Sequence, residues 1–111
     1  MKKTCPYFVA QSGTFEGKPD FWGACGVKNI SDNYATAQMI VRDYVTGQIL
    51  KTIEISLPGN AGALLTNTGE LAGFDGKRLT LELDGSEFIV MTPMNARRDS
   101  AVTLMQVLEK K

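Results

Sequence analysis

Residues 77–91 read Lys77-Arg78-Leu79-Thr80-Leu81-Glu82-Leu83-Asp84-Gly85-Ser86-Glu87-Phe88-Ile89-Val90-Met91, and this stretch decides the fold class. Leu79, Leu81 and Leu83 alternate with Arg78, Thr80 and Glu82. That period of two marks a strand with one buried and one wetted face. Asp84-Gly85 is the dipeptide type that closes tight hairpins, and Phe88-Ile89-Val90-Met91 has the composition of a returning strand. The expectation is a hairpin with the leucines inward and Glu82 outward.

Working outward, the same rhythm recurs. In residues 34–44, Ala35, Ala37, Met39 and Val41 share one face, while Thr36, Gln38 and Arg42 share the other, with Ile40 the exception. Val45-Thr46-Gly47-Gln48 predicts a hairpin connection to a strand in which Ile49, Ile53, Ile55 and Leu57 point one way, interrupted by Lys51. Pro58-Gly59-Asn60 ends that strand, and residues 61–67 form a short fifth strand. Residues 68–73 read as a turn or a single helical turn. At the start, residues 5–12 and 21–28 read as strands separated by an irregular loop over residues 13–20. Asn29-Ile30-Ser31-Asp32-Asn33 is turn chemistry, because Asn and Asp side chains bond their own backbone.

Residues 100–109 fit two templates. Ala101, Leu104, Met105 and Leu108 suit one face of a helix that Asp99 or Ser100 would cap. The β-branched Val102, Thr103 and Val107 favour a strand, one covered on both faces. The strand is the preferred reading and the helix its competitor. Together these segments predict an all-β fold: an antiparallel β-sandwich, jelly-roll or immunoglobulin-like, of about eight short strands. A chain of 111 residues is expected to form one such domain over residues 1–111.

Composition narrows the function classes. Twelve basic residues balance twelve acidic ones, so no long-range field draws in nucleic acid or an anionic membrane, and neither partner is expected. No apolar run is long enough for a membrane-spanning helix, and the apolar stretch after Met1-Lys2-Lys3 is too short and polar for a signal peptide. A cytoplasmic location is therefore expected. Cys5 and Cys25, the only two cysteines, are expected to be reduced, small apolar core residues.

Histidine is absent from the sequence. That removes the commonest general base and the commonest zinc ligand. Two cysteines cannot complete a tetrahedral zinc site, and the glycine spacing fits no phosphate-binding loop. The expectation is no enzyme, no metal and no cofactor. Asn29-Ile30-Ser31 matches a glycosylation acceptor, which would matter only in a eukaryotic secretory pathway, and the turn role is the preferred reading.

Two clusters have the chemistry of contact. Asp20, Phe21 and Trp22 place aromatics beside the glycine-rich loop, suited to a partner or a sugar. The plainer reading makes Trp22 a core residue. Arg97 and Arg98, within Asn95-Ala96-Arg97-Arg98-Asp99, present adjacent guanidinium groups that suit an anion or a carboxylate. The plainer reading there is an exposed turn.

The order of segments resembles the soluble transducer proteins of microbial sensory rhodopsins and their relatives. The resemblance runs through Thr4-Cys5, Ala10, Ala24-Cys25-Gly26-Val27, the Asn29 to Asp32 turn, Leu57-Pro58, Glu70-Leu71, the residue 86–94 segment and Arg97-Arg98-Asp99-Ser100. It implies a jelly-roll-like or immunoglobulin-like sandwich that assembles into a small homo-oligomer, a tetramer for example, and acts by binding another protein or a small ligand. The chain is shorter than that pattern and lacks its histidine. The function expected is a non-catalytic binding module working as a homo-oligomer. The alternative is a structural subunit of a larger assembly, such as a viral decoration or tail protein or a surface fibre component at the virion or cell surface.

Overall fold

The computed structural model describes residues 2–10, 12–15, 18–74, 76–97 and 102–110, with residues 12–15, 18–22, 96, 97, 102, 103 and 110 described by their backbone. Ten strand segments follow one another: β1 (Lys2–Ala10), β2 (Ser12–Phe15), β3 (Lys18–Asn29), β4 (Ala35–Asp43), β5 (Ile49–Leu57), β6 (Gly62–Thr66), β7 (Lys77–Gly85), β8 (Ile89–Arg97), β9 (Val102–Leu104) and β10 (Leu108–Lys110). They form two sheets. Sheet A has the order β10-β1-β7-β4-β5, and sheet B the order β2-β3-β8-β9, with β6 also paired to β3. Every pairing is antiparallel. β2 and β6 share one edge of the long β3 end to end, pairing with residues 18–22 and 24–28 respectively.

The expected all-β sandwich is therefore present. The count near eight also follows, because β1 and β2 are separated only by residue 11, and β9 and β10 only by residues 105–107, each pair passing from one sheet to the other. Most connections cross between sheets, as in jelly-roll and immunoglobulin-like sandwiches.

The core forms where the two inner faces meet. Sheet A supplies Phe8, Met39, Val41, Ile53, Ile55, Leu79, Leu81 and Leu83, and sheet B supplies Cys25, Val27, Leu65, Ile89 and Met91. Both Cys5 and Phe8 reach this core although three residues apart, because a bulge between them resets the alternation opposite Leu81 and Leu79. Pro6 sits in that bulge, where its missing N–H costs no ladder bond, and Thr80 Oγ1 donates to its carbonyl oxygen at 2.8 Å.

Four expectations need correction. The Asp84-Gly85 turn does not close a hairpin: β7 is already flanked by β1 and β4, so no edge remains for β8, which joins sheet B instead. Gly85 still has a structural role. Its φ of 143° and its approach to Ala37, where a Cβ would come within 2.7 Å, let the chain leave sheet A. Residues 13–15 and 18–20 are not an irregular loop but lie in the antiparallel β2–β3 pair. Residues 102–110 form no central strand; they split into two short edge segments, one per sheet, because the intervening 105–107 carries the chain between layers. Ile49 does not share the buried face of β5: a register shift opposite Val41 and Arg42 turns it outward.

Candidate functional site

The two outer faces of the sandwich differ in chemistry, and that difference locates the candidate surfaces. On sheet A, strand alternation points Thr4, Gln38, Arg42, Thr52, Glu54, Ser56, Thr80 and Glu82 away from the core. An open depression of about 880 Å³ lies there, lined by Thr4, Pro6, Arg42, Tyr44, Val45, Gly47, Thr80 and Glu82. Glu82 faces outward, as its place in the alternation predicts, yet its side chain is only 3% exposed. Its cross-strand neighbours Thr4 and Ile40 flank it, and Arg42 Nε donates to its Oε1 at 3.2 Å. Arg42 Nη1 also donates to the Gly47 carbonyl at 2.9 Å, so one guanidinium links the depression floor to the β4–β5 turn. Tyr44, on its lining, meets Tyr7 in an edge-to-face contact with ring centroids 5.1 Å apart.

Asp43 organises that turn. Its Oδ1 accepts from the backbone N–H of Val45 and of Thr46, each at 2.9 Å, and these bonds, Thr46 first, hold the carboxyl below its ordinary value.

On sheet B the outer face is mostly apolar, with two threonines and one lysine. Cys25, Val27, Leu65, Ile89 and Met91 point into the core, so their alternating neighbours face out. Three rungs of cross-strand pairs result: Gly62–Lys28–Val90, Leu64–Gly26–Thr92, and Thr66–Ala24–Met94–Leu104. Lys28 is the one charge among these residues. Leu64 is 53% and Leu104 66% exposed. Ala24 is 1% exposed but stands outside the contiguous core cluster, set low between the larger Thr66 and Met94. Ile30, Tyr34 and Phe88 lie in loops and are exposed, and Ile30 N–H donates to the Phe88 carbonyl at 2.9 Å.

The two clusters singled out in the sequence meet at backbone level. Asp20, Phe21 and Trp22 lie on β3 and Arg97 ends β8, where Phe21 pairs directly with Arg97 and Trp22 with Ala96. The side chains of Asp20, Phe21, Trp22 and Arg97, and Arg98 altogether, lie outside the described residues. The sequence reading missed the Arg42–Glu82 pair. Their separation by 40 residues hid it, and no local motif marks such a contact.

Neither thiol is placed for chemistry. Cys5 and Cys25 form no disulfide and are fully buried. Burial pushes Cys5 up to about 11 and Cys25 up to about 12, the second raised further by the first. Asn29 is also fully buried. Its Nδ2 donates to the carbonyls of Asn33, Leu57 and Pro58, and its Oδ1 accepts from Ser31 N–H and Oγ. In the folded protein that amide is closed to glycosylation, and the turn reading of Asn29-Ile30-Ser31 holds. Among the described residues no group of three or more acidic, cysteine or histidine side chains is placed to hold a metal ion. No helix among them is long and apolar enough to cross a membrane.

No protein-family model and no curated protein matches the sequence. The fold is similar to the crystal structure of Thermotoga maritima 1070, with a TM-score of 0.67 at 11% identity over 95% of this chain and 91% of that one. At that identity the likeness concerns the fold alone.

Proposed function

We propose that the chain is a non-catalytic interaction module that works as a homo-oligomer, in the manner implied by its resemblance to the transducer-like proteins. The observation that carries this reading is the outer face of sheet B. The outward face of a solvated antiparallel sheet is ordinarily polar. Here three successive rungs hold one charge, and two leucines on them are more than half exposed. Covering the part of each leucine still exposed is worth about 1–2 kcal/mol. With a formal net charge of zero, copies of the chain do not repel one another.

The absence of histidine and the two buried thiols with raised pKa values support a role by contact rather than by chemistry. The depression around Arg42 and Tyr44 then remains on the opposite side of the sandwich as the surface for a second protein or a small ligand. Light scattering at tens of micromolar tests the reading. A mass that is a multiple of 12.1 kDa is expected. A mass of one chain would overturn it.

A further inference from the structure

Of the sheet edges formed by the described residues, one is unlike the others. Sheet A ends on β10 and β5, and sheet B on β9 and on the edge that β2 and β6 share. β10 and β9 have three residues each, and β2 and β6, of four and five residues, divide their edge at Gly23. The ladder of β5 to β4 runs without a shift from Lys51 to Leu57, roughly 23 Å of strand with no proline. Natural proteins shorten, bulge or cover such an edge, because its unpaired N–H and C=O groups attract another strand.

Little in the chain takes up those groups. Within the described residues, the backbone of residues 49–57 has one hydrogen bond outside its ladder with β4, from Asn29 Nδ2 to the Leu57 carbonyl. Lys51, whose charge could guard the edge, is drawn aside to the Glu70 carbonyl at 2.7 Å. Alternate amides and carbonyls of an edge strand point away from its sheet, a row that an extended backbone matches. The side chains narrow the partner further. Ile53, Ile55 and Leu57 retain 5–8% exposure where Leu79 and Leu81 of the central β7 have none, so the flank of the core opens at this edge. Thr52, Glu54 and Ser56 are exposed on the outer face. Glu54 accepts from Gln38 Nε2 at 2.7 Å and has no ion-pair partner among the described residues.

We infer that the free edge of β5 takes an extended segment of another protein as a sixth strand of sheet A, apolar beside Ile53 and Ile55 and basic where it passes Glu54. Main-chain bonds supply the affinity, and the alternate side chains choose the partner. A second β5 does not meet this description. A two-fold axis sets outer-face residues against outer-face residues, and Thr52, Glu54 and Ser56 include no cation for Glu54. The inference adds a partner surface to the interaction-module reading above and stands apart from its homo-oligomer part.

The probe is a nine-residue peptide of alternating threonine and valine with lysine at its centre, added to the full chain and followed by titration and amide hydrogen exchange. Alternate amides within residues 51–57 are expected to exchange about tenfold more slowly with peptide bound. Two further peptides carry N-methyl groups, one on its valines, the other on its threonines and lysine. One of these sets faces β5, so one peptide is expected to lose about tenfold in affinity and the other to keep it. Equal behaviour of the two overturns the inference, as does protection confined to other strands or no binding at all. Glu54→Lys, an exposed change, is expected to reverse the preference between lysine and glutamate at the centre of the peptide, by about threefold each way. An unchanged preference overturns the basic partner. If β5 amides are already protected in the free chain and lose that protection on dilution, a copy fills the edge; the inference then falls while the homo-oligomer reading stands. A chain that is monomeric by light scattering, yet gains protection at β5 from the peptide, upholds this inference and removes the homo-oligomer reading.

Discussion

Asn29 Nδ2 donates to the carbonyl oxygen of Leu57 at 3.0 Å, tying the end of β3 in one sheet to the end of β5 in the other. The same amide satisfies Asn33 and Pro58, and Ser31 closes the remaining acceptor site. One buried side chain thus fixes two loops at one end of the sandwich. Asn29→Ala is expected to cost about 2–4 kcal/mol, because buried carbonyls lose their donor. Asn29→Asp is expected to cost at least as much, since a carboxylate would face three carbonyl oxygens. Urea unfolding checks this as a lowered midpoint at unchanged slope. A wild-type midpoint for Asn29→Ala would show that the carbonyls find water instead.

At Gly23 the constraint is steric. β1 passes so close that a Cβ would lie within 2.1 Å of the Val9 carbonyl oxygen and 3.0 Å of Asn95 Oδ1. Backbone atoms cannot swing aside as a side-chain tip can. Gly23→Ala is expected to lose about 3 kcal/mol or more, whereas Gly26→Ala on the same strand, where a Cβ would meet only Thr92 atoms at 3.8 and 3.9 Å, holds or raises stability. Thermal unfolding of the two variants side by side is the measurement. Equal behaviour would refute the difference in space at the two positions.

Arg42 and Glu82 predict an asymmetry. Removing the guanidinium withdraws an ion-pair partner of a carboxylate whose side chain is 3% exposed, whereas removing the carboxylate leaves Arg42, 29% exposed, open to water. Arg42→Leu is expected to cost about 2–3 kcal/mol, and the double variant Arg42→Leu with Glu82→Gln less than that. A double-mutant cycle measures the coupling. Additive losses would mean that the pair contributes nothing beyond its separate packing.

The thiols give a pH prediction. Both have folded values raised from 9.0, to about 11 for Cys5 and about 12 for Cys25, because burial disfavours the thiolate. Their contribution to stability is fully present below the unfolded value near 9.0 and is lost as pH rises from there through 11 to 12. At pH 8 the folded protein should react with a thiol reagent far more slowly than the unfolded one, which should titrate two thiols. Rapid modification of the native protein would contradict their burial.

Some of this molecule is written locally. Ala35, Ala37, Met39 and Val41, and Leu79, Leu81 and Leu83, declare their buried faces by alternation alone, because a strand turns successive side chains to opposite sides whatever it pairs with. Those residues, with the turn formers between them, determined the all-β sandwich. Pairing is not local. The Asp84-Gly85 dipeptide specifies a reversal, but whether the reversing strand stays in its sheet depends on whether an edge is open, and β1 had already taken the one beside β7. Glu82 shows the same division. Its period placed it outward, and only the arrival of Arg42 from another strand and its position between Thr4 and Ile40 buried it. The sandwich followed from side-chain periodicity. The strand order, the buried ion pair and the bare face around Gly26 were decided by residues distant in the chain, which only the tertiary structure brings together.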